Sequence, residues 1–248
     1  MAGMRFASTG SLIALALLIA LPVGADEVVL DATDQGWYAK DLGVNFGDGV
    51  HTASNENTLT GRATNDRDLR SFFVFDLTAE AEPVIAAELR LELENYSSGS
   101  ASESFGVFDV SASASELNTD YGDDDPDGLA IYDDLGSGEV YASKTVAPVD
   151  VGSVIAIPLS AQAVSDLNAS LGTDFAVGLD LDSSNDGGGV VEFIRFSLND
   201  EPGIQQLVLT RAAPVPVASA SGVAMLAALL AIGAVGWIQN RGRARSSL

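Results

Sequence analysis

The 248-residue chain has no cysteine and a single histidine, His51. The first absence excludes a disulfide framework, a thiolate metal site and a cysteine-linked lipid anchor. The second excludes a metal site built from several imidazoles. It also leaves any Ser-His-Asp arrangement dependent on His51 alone, and in Gly49-Val50-His51-Thr52 that residue reads as an exposed loop bystander. Basic side chains are scarce: 12 Lys and Arg stand against 35 Asp and Glu, a formal net charge of −23. Four of the 12 lie near the ends (Arg5, Arg241, Arg243 and Arg245), whereas every acidic residue falls between Asp26 and Glu201, so the middle sets eight basic residues against 35 acidic ones. Nucleic acid is excluded as a partner, because phosphate binding needs a basic face, and an anionic lipid surface is excluded everywhere but the tail. Cations and neutral partners such as sugars fit this charge, and so does plain solubility in salt. Gly43 to Gly49 is glycine-rich but lacks the lysine of a phosphate loop and reads as a loop.

Two apolar runs bracket the acidic middle. Residues 1–25 read as a signal peptide: Arg5 is the basic start, Leu12 to Leu21 the apolar stretch, and Val23-Gly24-Ala25 the small residues before a cleavage site. Residues 212–216 form a stiff proline linker, Ala212-Ala213-Pro214-Val215-Pro216. Residues 217–239 follow as a transmembrane helix whose uncharged run, at 1.5 Å per residue, reaches about 33 Å. Trp237 suits the membrane interface, and Arg241, Arg243 and Arg245 in the basic tail of residues 240–248 hold that end in the cytoplasm. Two readings stand for this tail: a permanent single-pass anchor, or a temporary one cut after export.

Residues 26–211 are long enough to bury one core. Ile85 to Glu94 alternates, with Leu89, Leu91 and Leu93 on one face and Glu88, Arg90, Glu92 and Glu94 on the other. That is the period of a half-exposed strand. Arg70 to Leu77 (RSFFVFDL) reads as a strand buried on both faces, and further strands are expected at 27–30, 105–110, 153–159, 175–181, 190–198 and 205–210. One helix is expected, capped by Ser160, running over Ala161 to Leu171 and stopped by Gly172. Many strands without strand–helix alternation predict an all-β, antiparallel β-sandwich of jelly-roll type.

The sharpest motif is Asp123-Asp124-Asp125-Pro126-Asp127-Gly128-Leu129-Ala130-Ile131-Tyr132-Asp133-Asp134. Set on the calcium-loop template, Asp123, Asp125, Asp127 and Asp134 fall at ligand positions, Gly128 at the sharp turn, and Leu129 at the carbonyl position. Calcium is the cofactor this pattern suggests, and a solvated acidic loop is the other reading. Asp180 to Gly189 is a second acidic stretch that turn chemistry explains. A sugar site wants a ring beside hydrogen-bonding side chains. Trp37 with Tyr38 is the best such pair, against the reading that Trp37 packs the sandwich edge. No carboxylate pair stands out for glycoside cleavage.

Two resemblances add to this. Pro214-Val215-Pro216, the apolar run and the cluster Arg241, Arg243 and Arg245 resemble the PEP-CTERM class of sorting signals, with Val215 where that class has glutamate. The resemblance implies an exosortase-type processing enzyme in a Gram-negative, exopolysaccharide-making bacterium. Arg70-Ser71-Phe72-Phe73-Val74-Phe75-Asp76-Leu77 and Ile85-Ala86-Ala87-Glu88-Leu89-Arg90-Leu91 are similar to the paired strands of DNRLRE-type, carbohydrate-binding-module-like jelly rolls. That likeness implies a fold and a surface role. The expectation is an exported, non-enzymatic sandwich protein. It would pass through an inner-membrane intermediate to the cell surface or matrix, with exopolysaccharide as a partner. A module with a defined glycan ligand is the alternative, and a glycan-active hydrolase is a third.

Overall fold

The computed structural model describes residues 26–43, 47–63, 66–182, 191–198 and 203–212. The expected signal peptide, proline motif, transmembrane helix and basic tail, and most of the second acidic stretch, lie outside them. Among the described residues no helix is long and apolar enough to cross a membrane.

In chain order the elements are β1 (Asp26–Asp31), β2 (Asp34–Asp41), β3 (Thr58–Arg62), β4 (Arg67–Asp76), β5 (Val84–Glu92), β6 (Asn95–Ser97), β7 (Glu103–Asp109), α1 (Ala114–Leu117), α2 (Pro126–Asp134), β8 (Val140–Val146), β9 (Val154–Pro158), α3 (Ala161–Ala169), β10 (Asp174–Leu181), β11 (Glu192–Ser197) and β12 (Gln205–Arg211). All strand pairings are antiparallel. One sheet runs β1-β12-β5-β9; the other runs β6-β11-β3-β4-β10-β7-β8, with β2 also laid along β4. The expected all-β sandwich is the fold. The expectation of one helix is corrected: α1 and α2 join α3 among the described residues.

The sandwich core is the period-two faces of both sheets meeting. Leu89 and Leu91 of β5 and Leu207 and Leu209 of β12 pack against Phe73 and Phe75 of β4 and Val177 and Leu179 of β10. Burying each such side chain contributes roughly 1.5–3 kcal/mol. The run Phe72-Phe73-Val74-Phe75 is buried throughout because β4 is covered on both sides. Phe72 and Val74 face outward into a second core with Tyr38 of β2, Leu117 of α1, and Ile131, Tyr132 and Leu135 at α2. Two helices and a loop thus roof the outer face of the larger sheet.

The roof has sequence causes. Ser113 and Glu116 form a reciprocal capping box at α1. Asp125 caps α2, its Oδ1 accepting the N–H groups of Asp127 at 3.0 Å and Gly128 at 3.4 Å, with Pro126 in the first turn. Gly49 has φ +80°, and a Cβ there would stand 2.3 Å from the Leu129 nitrogen. Only glycine lets segment 47–51 lie against the first turn of α2.

Candidate functional site

Three groups of side chains carry chemistry beyond packing: a cleft beside α3, a buried polar cluster under α2, and the residues singled out from sequence.

The cleft has a volume of about 670 Å³, within the range of small-ligand sites. It forms where β7 ends and β8 and β10 begin, with Gln162 and Asp166 of α3 on its wall. Asn168 fixes α3 to the start of β5: its Oδ1 accepts the Val84 N–H at 2.8 Å, and its Nδ2 donates to the Val84 carbonyl at 2.9 Å. Four carboxylates line the cleft: Asp109, Glu139, Asp166 and Asp174. No lysine, arginine or histidine is among its lining residues. Asp109 Oδ1 accepts the Glu139 N–H at 2.7 Å, which sets the β7–β8 corner. Tyr141 stacks on Phe175 with ring centroids 6.0 Å apart. Its hydroxyl donates to Asp166 Oδ2 at 2.9 Å, while Gln162 donates to Oδ1 at 3.0 Å. Burial, and then the hydrogen bond to Asp166 and the nearby acidic charges, hold the Tyr141 phenol well above its ordinary pKa. It stays a neutral donor at any physiological pH. Glu139 and Asp174 are exposed at the mouth. The cleft therefore offers hydrogen-bond acceptors to a ligand rich in hydroxyl or amino donors.

The buried cluster joins β4, β10 and α2. Arg70 Nη2 meets Asp180 Oδ2 at 3.0 Å, and Nη1 donates to the carbonyls of Tyr132 at 3.0 Å and Asp133 at 3.2 Å. The guanidinium lies over the Tyr132 ring, 4.4 Å from its centroid. The Tyr132 hydroxyl donates to Asp68 at 2.5 Å, and Asp68 is 1% exposed. Burial raises Asp180 to about 6 against the attraction of Arg70. Burial likewise raises Asp34, near Glu56 in a smaller cavity of about 380 Å³, to about 6.

The acidic motif departs from its expected form. From Pro126 onward it is helix α2, not a loop wrapping a cation. Asp125 is the helix cap. Asp123 is exposed and 3.9 Å from Arg67. Asp134 Oδ2 accepts the N–H groups of Ser111 at 2.8 Å and Ala112 at 3.2 Å. Leu129 packs against the second core. Asp127 and Asp134 do come together, on a shared groove with Glu116. Among the described residues no group of three or more His, Cys, Asp or Glu is placed to hold a metal ion. These residues do not fit a calcium-wrapping loop, because Asp-Pro starts a helix here.

Trp37 is half-buried on β2, across from Ser71. Tyr38, expected beside it in a sugar platform, is 0% exposed and donates to the carbonyls of Glu116 at 3.2 Å and Leu117 at 3.0 Å. Neighbours on a strand point to opposite faces, so the two rings cannot form one surface. His51 is a second correction: it is 3% exposed and stacked on Tyr38, not an exposed bystander. The cleft carboxylates were not singled out by sequence, since their spacing along the chain carries no motif; the fold alone brings them together.

No family model matches the chain, and no curated protein matches it. Among solved structures the chain is similar to the N-terminal endo-1,4-beta-D-xylanase 10B of Clostridium thermocellum, its CBM22-1 and GH10 modules complexed with xylohexaose. Identity is 15% and the TM-score is 0.29, over 78% of this chain and 30% of that one. The chain thus spans less than a third of the length of that xylanase fragment.

Proposed function

We propose that this is an exported β-sandwich protein of a polysaccharide-rich cell surface or matrix, acting by holding polysaccharide in the cleft beside α3. The single observation that supports this is the cleft's lining: Asp109, Glu139, Asp166 and Asp174 with no basic side chain among them. Ionised carboxylates are pure acceptors, each with two oxygens, and vicinal sugar hydroxyls are paired donors. Exposed Glu139 and Asp174 meet the ligand first, while Asp166 and Tyr141 fix the floor. The carboxyls pushed up to about 6, Asp34 and Asp180, lie outside this cleft. That separates acid–base potential from the proposed binding surface. In this reading the C-terminal segment is the exosortase-type signal that delivers the protein to its place.

Affinity electrophoresis through gels containing neutral polysaccharides, xylan and galactan among them, tests the proposal. The full chain is expected to be retarded, and Glu139→Gln with Asp174→Asn to weaken retardation about tenfold, about 1.4 kcal/mol. Equal retardation of the double variant, or none in any neutral polysaccharide, would contradict the cleft as the site.

A further inference from the structure

We propose that His51 is a pH-sensitive latch: its neutral, stacked ring locks residues 47–53 and 118–121 onto the outer face of the larger sheet, and its protonation unlocks them.

The latch is built from backbone and ring contacts together. The His51 N–H donates to the Tyr121 carbonyl at 3.1 Å, and the Tyr121 N–H donates back at 3.0 Å. One residue earlier the Ala39 N–H donates to the Val50 carbonyl at 3.0 Å, and the Gly49 N–H to the Ala39 carbonyl at 2.8 Å. His51 is therefore the rung between β2 and the acidic segment. Asp120 Oδ1 accepts the Ala53 N–H at 2.7 Å, and Asp124 Oδ1 accepts the Asp48 N–H at 3.3 Å. Those caps align the two loops, but neither is buried.

The imidazole is buried and half-satisfied. Its ring centroid lies 4.3 Å from that of Tyr38 at 15°, and 5.6 Å from that of Phe72 in a T-shaped contact. Gly36 leaves the room: a Cβ there would stand 3.0 Å from the imidazole Cε1. Nδ1 is 2.8 Å from the Trp37 carbonyl oxygen. A carbonyl only accepts, so Nδ1 carries the proton and Nε2 is the bare nitrogen of a neutral ring. Nε2 is buried without a hydrogen-bond partner. Protonation would add an N–H that meets no acceptor, and a full charge against two aromatic rings.

The titratable groups around the ring are Tyr38 on its face, Tyr121 across the rung, and Asp120 beyond it. Asp34 and Glu116 act on the Tyr38 phenol. Burial lowers the His51 pKa from 6.5, outweighing the hydrogen bond to the Trp37 carbonyl and the charge of Asp120, both of which favour the charged ring. The neutral form is thus the folded form. The latch is whole above 6.5 and weakens as pH falls below that value. Once open, water and the carboxylates of the acidic loop solvate the imidazolium, and the Tyr38–Phe72 face is uncovered.

His51 is the chain's one histidine, so the test is clean. Amide hydrogen exchange is followed in the full chain at about pH 7.5 and about pH 5, corrected for intrinsic rates, alongside the imidazole nitrogen resonances. The expected result is an Nδ1–H tautomer at the higher pH and about tenfold lower protection of residues 47–53 and 118–121 at the lower, with no loss of protection in β4 and β10. His51→Gln keeps a donor for the Trp37 carbonyl and cannot titrate, so its two loops should lose no protection in acid. Protection that survives acid in the wild type, or a loss that persists in His51→Gln, overturns the latch. So does an imidazole that titrates while the loops stay protected, a result readable even if the variant fails to fold.

Discussion

Arg70 and Asp180 hold one another on neighbouring strands, 3.0 Å apart and only 13% and 14% exposed. The same guanidinium reaches the carbonyls at the end of α2. One arginine therefore fastens the helical roof to the sheet and offsets the charge of Asp180.

Arg70→Met keeps the stem and removes the charge. It leaves Asp180 uncompensated and two helix-end carbonyls without their donor. Breaking one side of a buried pair costs about 3–5 kcal/mol. Urea denaturation should show a loss of that size; a loss under about 1 kcal/mol would mean the cluster is solvated.

Asp180→Asn should change the pH dependence of stability. The folded pKa is raised from 3.8 to about 6, so the folded state favours the protonated carboxyl. Its stabilising contribution is complete below 3.8 and is lost as pH rises through about 6. Relative to Asp180→Asn, the wild type should lose on the order of 2 kcal/mol across that window. Parallel stability curves for the two proteins would rule this out.

Asp125→Ala separates a helix cap from a metal ligand. Asp125 holds two N–H groups of α2, and losing such a cap costs about 1 kcal/mol. The drop in melting temperature should be the same with calcium and with chelator. A drop seen only in calcium would restore the calcium reading of this motif.

The tail makes a prediction independent of the fold. Intact mass of the protein recovered from the outer surface of its host should end near Pro214 if the segment is a cleaved signal. A mass running through Leu248, in a membrane fraction, would make it a permanent anchor.

Much of the fold was legible where one face alone was apolar. Leu89, Leu91 and Leu93 announced β5 by period two, and Ser160 announced α3. β2 was hidden because Gln35, Gly36, Tyr38 and Ala39 are all buried, which erases alternation when a strand is covered on both sides. β3 was hidden because hydroxyls fill its buried face: Thr58 bonds Ser197 at 3.0 Å and Thr60 donates to Ser71 at 2.9 Å. The start of α2 was readable in Asp125-Pro126, but its carboxylate spacing also matches a calcium template. The partner that decides between those readings, segment 47–51, is remote in sequence. The cleft was illegible for the same reason, because Asp109, Glu139, Asp166 and Asp174 meet only through strand register and the placing of α3.

The most direct test of polysaccharide binding is backbone NMR of the protein titrated with oligosaccharides of its host's own exopolysaccharide. The account predicts that shifted amides gather at Glu139, Tyr141, Gln162 and Asp174. Shifts gathered around Trp37, or none up to millimolar oligosaccharide, would contradict it.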